Sequence, residues 1–272
     1  MIGVILAAGM AKRLRPLTDT KPKCLLKVGE RTLLERTVDA MVATGINELV
    51  VVTGYKAQML RDFLTNTYHP TPITQHPTPN THHPTPITYH PTPNTHHPSP
   101  ITFHFIDNPD YEHNNNIYSL WLSGQVVRGR EFLLMDSDIL CDPAAVAAVA
   151  RQKGAALALN RHELGEEEMK VVVDGNMQIT EISKTCNPAD ALGESVGIEK
   201  ITADYSEALF RELDQMIEQE GLIDIFYERA FERLIAQGHT FRVIDTTHFF
   251  SYELDTPEDF QRATELMPQE LL

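Results

Sequence analysis

Strand-like and helix-like segments alternate along the first half of the chain, and this alternation predicts a parallel β-sheet covered by helices. A capping box at Thr32 and Glu35 marks the start of the first helix. Open parallel sheets bind ligands at the carboxyl ends of their strands, so polar residues there are the candidates for a site. Strands are predicted at residues 2–7, 48–53, 101–107, 131–135 and 155–160, and helices at 32–43, 56–66, 117–126 and 142–152.

The pattern changes after residue 165, where shorter strands and longer helices follow. A hairpin is predicted around Asp174-Gly175-Asn176, and a last helix begins after Thr256 with Pro257 in its first position. The other elements are strands at 196–201, 241–244 and 249–254 and helices at 204–219 and 223–236. We interpret residues 1–272 as one α/β domain with a Rossmann-like, mostly parallel mixed sheet flanked by helices, whose second half adds strands to the same sheet.

Residues 69–102 are interpreted as an insertion in this domain. Five heptads that each begin His-Pro run from residue 69 to residue 103, and they hold ten of the 17 prolines and seven of the 12 histidines. Prolines that are alternately two and five positions apart are incompatible with a helix or a central strand, so polyproline II or disorder is expected. The histidines suit a transition metal, but nothing in the repeat orders them around one centre.

The overall charge excludes some classes of partner. The chain has 23 Lys and Arg against 38 Asp and Glu, a formal net charge of −15, which argues against nucleic acid. No apolar stretch reaches the roughly 20 residues needed to insert in a membrane. Because Met1 leads directly into the first strand, we expect no signal peptide and a cytoplasmic location. The three widely spaced cysteines favour neither a disulfide framework nor a zinc site.

The loop after the first strand carries much of the positive charge of the chain. Small residues around Gly9 let backbone N–H groups approach an anion, and a basic loop supplies the counter-charge. Its six cations are Lys12, Arg13, Arg15, Lys21, Lys23 and Lys27. This composition favours a polyphosphate site, although a solvated basic loop remains the alternative.

Carboxylates follow two other predicted strands. Asp136 and Asp138 come directly after the buried strand at 131–135, and Asp255 follows the last strand. Oxygen ligands at this spacing suit a hard cation such as Mg²⁺. Asp138 and Asp255 are therefore candidate magnesium ligands, with Asp136 as a further one, although aspartate at a strand end also serves to cap the next helix.

Several segments together resemble a known enzyme family. Leu6-Ala7-Ala8-Gly9, Arg13-Leu14, Pro16-Leu17-Thr18 and Lys21-Pro22-Lys23 look like the signature of nucleotidylyltransferases of the sugar-phosphate, GT-A-like type. Residues 114–120, 136–138 and 252–259 resemble the branch that transfers CMP to small phosphorylated alcohols or phosphonates, including the bacterial choline-phosphate cytidylyltransferases. The resemblance implies the nucleotide-diphospho-sugar transferase type of fold.

The resemblance also implies roles for individual residues. Arg13 would hold the β- and γ-phosphates, Lys23 the α-phosphate and the incoming phosphate, and Lys184 the acceptor phosphate. Asp138 and Asp255 would hold Mg²⁺. The nucleotide would contact Leu6, Ala7, Ala8, Gly9, Asn116, Ser119 and Asp136. For Lys184, a surface lysine at a hairpin end is the alternative interpretation.

The acceptor is less well specified by the sequence. The segment Asp224–Glu228 resembles an acceptor-proximal helix of the cytidylyltransferase branch, so Tyr227 and Glu228 are candidate acceptor residues, and Glu194 is a further acidic partner. A choline head would favour an aromatic cage. Its candidates are Tyr118, Trp121, Phe226, Tyr227 and Tyr252, although Trp121 at helical spacing from Tyr118 also suits the core.

Ala11 departs from the family signature, which usually has glycine there. If that position needs a positive φ, alanine costs on the order of 1 kcal/mol. If it only needs close backbone approach, a methyl group is a small obstacle, and we expect the loop to work.

These observations predict Mg²⁺-dependent transfer of CMP from CTP to a small phosphorylated alcohol or phosphonate, with release of pyrophosphate. A phosphate oxygen is already a nucleophile, so no general base is required. One alternative is a sugar-1-phosphate nucleotidylyltransferase that uses UTP or dTTP. A second is a non-catalytic nucleotide sensor. The sequence leaves an oligomer possible.

Overall fold

The computed structural model describes residues 1–68 and 100–271. Its strands are β1 (Ile2–Ala7), β2 (Lys27–Val28), β3 (Arg31–Thr32), β4 (Glu48–Thr53), β5 (Thr102–Asp107), β6 (Phe132–Asp136), β7 (Ile139–Cys141), β8 (Ala156–Asn160), β9 (Lys170–Val173), β10 (Ile179–Ser183), β11 (Gly193–Ile201), β12 (Arg242–Asp245) and β13 (Ser251–Glu253). Its α-helices are α1 (Leu33–Ala43), α2 (Ala57–Tyr68), α3 (Asn116–Val127), α4 (Pro143–Ala150), α5 (Ala203–Asp214), α6 (Glu228–Ala236) and α7 (Pro257–Leu266). The predicted insertion lies outside the described residues except at its last positions, where Thr102 begins β5.

A nine-stranded mixed sheet forms the centre of the domain. Strands β5, β4, β1 and β6 are parallel neighbours in that order. The antiparallel β11 follows β6, and β8, β9, β10 and β12 complete the sheet. The α/β class and the mostly parallel first half of the sheet are therefore as predicted.

Alternation of side chains along β1 explains why the sheet has helices on both faces. Val4 and Leu6 pack with α3, α5 and α6, whereas Ile5 and Ala7 pack with α1, α2 and α4. Because both faces of the central strands are covered, these strands are continuously apolar. Among the described residues, none of the helices is both long and apolar enough to cross a membrane.

The sheet opens where β11 bends. One edge of β11 pairs with β8, and the other pairs with β6 over residues 198–201 and with β9 over residues 193–194. Gly197 has a φ of 75° at this bend, and a Cβ there would lie 3.0 Å from an Asp136 carboxylate oxygen. Glycine therefore permits both the bend and the close approach of β11 to the end of β6.

The prediction that residues 249–254 join the main sheet is wrong. Strand β13 instead pairs antiparallel with β7, a short strand that was not predicted, in a separate two-stranded ribbon. The ribbon packs over a small core of its own, which includes Leu140 and Leu254. It therefore stands next to the main sheet at the end of β6.

The helix predicted at residues 223–236 begins later, at Glu228. The preceding residues use their backbone groups elsewhere, since Ile223 O accepts a hydrogen bond from Asn115 N and Tyr227 N donates one to Asn116 Oδ1. These bonds tie the segment before α6 to the start of α3. The predicted capping box at Thr32, the predicted start of the last helix after Thr256 and the hairpin of β9 and β10 are confirmed, and Thr256 also forms a capping box with Asp259.

Ala11 occupies the left-handed region, with φ 45° and ψ 57°. Its carbonyl oxygen accepts hydrogen bonds from Leu14 N and the buried Thr18 hydroxyl, which hold this conformation. The position thus requires a positive φ, and the absence of glycine there costs stability.

We expect Ala11→Gly to stabilise the protein by about 0.5–1 kcal/mol, because relief of roughly 1–2 kcal/mol of strain exceeds the added flexibility of the unfolded chain. The midpoint of thermal unfolding should rise by about 2 °C. Ala148→Gly, inside α4, is the matched control and should lower stability by about 1 kcal/mol. A lower midpoint for Ala11→Gly would contradict the assigned strain.

Candidate active site

A cavity of about 780 Å³ lies at the carboxyl ends of β1 and β6 and along the bend of β11. This volume is within the range of small-molecule sites, about 300–1,000 Å³. The cavity brings together nearly all of the residues that the sequence singled out. Those that line it are Leu6, Ala7, Ala8, Gly9, Arg13, Lys23, Asn116, Ser119, Asp136, Asp138, Lys184, Glu194, Glu228 and Asp255.

Three carboxylates form a cluster in this cavity. Asp138, Glu253 and Asp255 each offer an oxygen, and these oxygens lie within 4.8 Å of one another. The ribbon explains the convergence, since Ile139 pairs with Glu253 and the residues beside this pair become neighbours. Asp259, at the start of α7, accepts a hydrogen bond from Asp255 N at 3.1 Å and so fixes the backbone there.

Two cations from the amino-terminal loops reach the same carboxylates. Lys23 Nζ donates to Asp138 Oδ2 at 3.1 Å and to Asp255 Oδ1 at 2.8 Å. Arg13 pairs with the other oxygen of Asp255. Burial opposes the charged form of Lys23, but the two aspartates outweigh it, and the pKa of Lys23 is raised. The basic loop and the acids therefore share one crevice.

Glu253 was not among the predicted ligands. Burial, together with the charges of Asp138 and Asp255, raises the pKa of Glu253 to about 7. A divalent cation would relieve this repulsion, and three carboxylates are ligands that Mg²⁺ accepts. The sequence held a signal for this residue, because Glu253 and Asp255 are two positions apart at the end of a strand and can face the same side.

An amide-rich wall closes the side of the cavity next to β1, β4 and β5. Asn108 and Asn114 exchange side-chain hydrogen bonds of 2.7 and 3.1 Å, and Asn108 also donates to the Ser119 hydroxyl at 3.1 Å. Ala8 O accepts from Tyr55 N at 2.9 Å, which fixes the loop after β1. Sequence reasoning found Ser119 but missed Asn108, whose position directly after β5 was the available signal.

Tyr227 does not line the cavity, so the prediction that it contacts an acceptor does not match its position. It is fully buried, and its hydroxyl lies 3.2 Å from Asp136 Oδ2 and 3.3 Å from Glu199 Oε2. Burial and the negative charge of Asp136 raise the pKa of Glu199 well above its ordinary value. Burial likewise raises the pKa of Asp136, with the charge of Asp138 as a further cause. Tyr227 thus contacts Asp136 from the protein interior through its hydroxyl group.

Charged residues of both signs line the side of the cavity next to β8–β11. Lys184 Nζ lies 3.5 Å from Glu167 Oε2 and 4.7 Å from the centre of the Phe226 ring. Glu194 Oε2 lies 2.8 Å from His162 Nε2. This wall therefore combines a cation suited to a phosphate with several carboxylates.

The aromatic cage considered from the sequence is not assembled. Tyr118 and Trp121 pack against the core, and Trp121 Nε1 donates to Asp214 Oδ1 at 2.9 Å. Of the five candidates, only Phe226 and Tyr252 line the cavity. Tyr118 and Trp121 are partly buried because they lie on α3, whose apolar residues cover the sheet.

Comparison with known proteins agrees with this geometry. Residues 2–159, more than half of the chain, match the family described as nucleotidyl transferase. The chain belongs to the nucleotidyl transferase family. The family resemblance of the amino-terminal signature is thereby confirmed, and the matched part includes β1, the basic loop and both Asp136 and Asp138.

Among curated relatives of the family, the CMP-5'-(3-aminopropyl)phosphonate synthase of Streptomyces rubellomurinus is 25% identical over 272 residues. That match covers 96% of this chain and 38% of the synthase, so this chain spans about two fifths of the relative's length.

Solved structures of the nucleotidyl transferase type share the fold. The CTP:phosphocholine cytidylyltransferase of Streptococcus pneumoniae superposes with a TM-score of 0.74 at 19% identity, covering 98% of this chain and 99% of that one. A UDP-glucose pyrophosphorylase in complex with UDP-glucose superposes with a TM-score of 0.71 at 16% identity, covering 97% and 98%. Both branches fit about equally well, so the fold alone does not distinguish acceptors.

Proposed function

We propose that this protein transfers CMP from CTP to a small phosphorylated alcohol or phosphonate and releases pyrophosphate. The observation that carries the proposal is the convergence of Lys23 and Arg13 with Asp138 and Asp255 in one cavity at the end of the parallel sheet. Cytidylyl transfer is supported by the synthase relative and by the phosphocholine cytidylyltransferase, whose names describe CMP or CTP chemistry.

The transfer needs alignment and charge neutralisation more than proton transfer. An oxygen of the acceptor phosphate forms a bond to the α-phosphorus of CTP, and the bond from that phosphorus to the bridging oxygen of pyrophosphate breaks. Lys23 would stabilise negative charge at the α-phosphate, and Arg13 would hold the leaving pyrophosphate. Asn108 and Ser119 form part of the wall proposed to contact the base, together with the backbone after β1.

Asp138, Glu253 and Asp255 are the residues that would hold Mg²⁺, and their oxygen donors fit this ion. When bound, Mg²⁺ would supply Lewis-acid stabilisation of phosphoryl oxygens. Lys23 bridges two of these carboxylates, so its ammonium group lies beside the proposed metal site.

Pyrophosphate release tests the proposal. CTP, UTP and dTTP are each combined with Mg²⁺ and with phosphoethanolamine, phosphocholine, 2-aminoethylphosphonate or glucose 1-phosphate. We expect release with CTP and at least one of the first three acceptors. Turnover only with glucose 1-phosphate and UTP or dTTP would instead indicate the sugar-nucleotide branch, to which the UDP-glucose pyrophosphorylase structure belongs. Tight CTP binding without release would indicate a sensor.

A further inference from the structure

Glu228 is a buried carboxylate with one unsatisfied oxygen. It is 6% exposed, it lines the cavity, and its Oε2 has no hydrogen-bond partner among the described residues. Its neighbours across the cavity are better satisfied, since Glu194 is paired with His162 and Lys184 with Glu167. A buried carboxylate oxygen that lacks a donor is costly unless a ligand supplies one.

We propose that Glu228 binds the protonated amine of the acceptor, so that the acceptor is a short aminoalkyl phosphate or aminoalkyl phosphonate rather than a quaternary choline ester. This inference rests on the proposed CMP transfer and specifies its acceptor. The shared chemistry is an N–H-bearing ammonium joined by a short carbon chain to a phosphate or phosphonate group.

The placement of charges supports one acceptor orientation. Lys184 Nζ lies over Phe226, two residues before Glu228, so a cation and a carboxylate stand near each other on the acceptor wall. A zwitterionic acceptor can place its phosphate toward Lys184 and the metal cluster and its ammonium toward Glu228. The phosphate ester of an uncharged sugar would bring no cation to the unsatisfied Glu228 oxygen.

The lining of the cavity disfavours a quaternary ammonium. Such a group has no N–H to donate and depends on aromatic faces. Among the described residues, three tyrosine or phenylalanine side chains line the cavity, and no tryptophan does; the three are Tyr111, Phe226 and Tyr252. Tyr111 packs beside Tyr55 near the nucleotide wall, and the Phe226 face carries Lys184, so no cage surrounds Glu228.

The electrostatics of Glu228 predict a pH dependence of stability. Burial raises its pKa to about 7, although a hydrogen bond from its own backbone N–H and the nearby Lys184 oppose the shift, and the other acids that face it are Asp136 and Glu199. A carboxyl whose pKa is higher in the folded state than in the unfolded state destabilises the fold as pH rises from about 4.5 to 7. Glu228→Gln should therefore raise the unfolding midpoint by a few degrees at pH 8 and leave it nearly unchanged near pH 4.5.

A series of four acceptors tests the inference: phosphoethanolamine, its N-methyl and N,N-dimethyl derivatives, and the trimethyl compound phosphocholine. Each added methyl group removes one N–H and keeps the positive charge. With CTP, kcat/KM should fall along the series and be at least about tenfold lower for phosphocholine than for phosphoethanolamine. Glu228→Gln should raise KM for phosphoethanolamine about tenfold to a hundredfold and remove most of this discrimination. Glu232→Gln, one turn further along α6 and outside the cavity, is the matched control and should behave as wild type.

Binding gives a readout that does not depend on turnover. Titration of 2-aminoethylphosphonate into the protein with Mg²⁺ and α,β-methylene CTP should give binding that Glu228→Gln weakens and Glu232→Gln does not. Comparison with phosphoethanolamine separates a phosphonate from a phosphate acceptor. Equal use of phosphocholine, unchanged discrimination in Glu228→Gln, or no amine binding would each overturn the inference. Pyrophosphate release with only quaternary or neutral acceptors would leave the CMP transfer standing, whereas no release with any acceptor would overturn that transfer itself.

Discussion

Asp138→Asn is expected to lower kcat for nucleotidyl transfer about a thousandfold or more, because it removes a charged member of the three-carboxylate cluster. Metal-ion stabilisation of phosphoryl charge amounts to several kcal/mol, and loss of about 4 kcal/mol corresponds to this factor. The side chain keeps its size, so the loss would be electrostatic. The measurement is pyrophosphate release at saturating CTP and acceptor, with Mg²⁺ varied from micromolar to millimolar.

The matched control is Asp62→Asn on α2, where the carboxylate bonds only Gln58 on the surface and lies outside the cavity. Its kcat should stay within twofold of wild type. Thermal unfolding of both variants separates a local effect from loss of the fold, since an aspartate whose side chain is 32% exposed contributes little stability through its ion pair. Activity of Asp138→Asn within tenfold of wild type at all Mg²⁺ concentrations would show that Asp138 is not a metal ligand.

Local patterns predicted the sheet well because its central strands are covered on both faces. The run from Ile2 to Ala7 is apolar for that reason, and the same burial places Asp136 and Asp138 at the end of a strand. The capping boxes at Thr32 and Thr256 depend on residues three apart and were equally visible. Each of these features is local in sequence.

Local sequence patterns could not predict the pairings between distant segments. The ribbon of β7 and β13 has only three residues in each strand, so no periodicity reveals it, yet it brings Glu253 and Asp255 to Asp138. The bond from Tyr227 N to Asn116 likewise joins segments far apart in the chain and shifts the start of α6. This shift is why Tyr227 faces inward and Glu228 faces the cavity, a difference that composition does not encode.

Glu199 and Asn108 show the same limit at the site. Glu199 is a fully buried acid in a strand that is otherwise suited to the core. It accepts a hydrogen bond from the Tyr227 hydroxyl, which comes from another element. Asn108 forms two side-chain hydrogen bonds with Asn114 across a turn, and the sequence alone does not reveal this pair. The family resemblance supplied Arg13, Lys23 and Lys184, but not these supporting residues.

Lys23→Met is expected to have opposite effects on metal binding and on catalysis. Lys23 Nζ lies between Asp138 and Asp255 and therefore repels a divalent cation from the same carboxylates. Without CTP, Mn²⁺ should bind Lys23→Met about tenfold more tightly than wild type, a modest gain because both aspartates are partly exposed to solvent. Electron paramagnetic resonance of free Mn²⁺ measures this affinity directly.

Catalysis by Lys23→Met should nevertheless fall about a hundredfold to a thousandfold in kcat, the usual effect of removing one donor from a developing oxyanion. Lys12→Met is the matched control, because Lys12 lies in the same basic loop but does not line the cavity, and it should change neither quantity more than twofold. Weaker Mn²⁺ binding in Lys23→Met would mean that Lys23 organises the carboxylates rather than competing with the cation. Unchanged kcat would remove Lys23 from the transfer. Tighter metal binding together with slower turnover is expected only if one ammonium group holds the carboxylates before the metal binds and then acts on the α-phosphate.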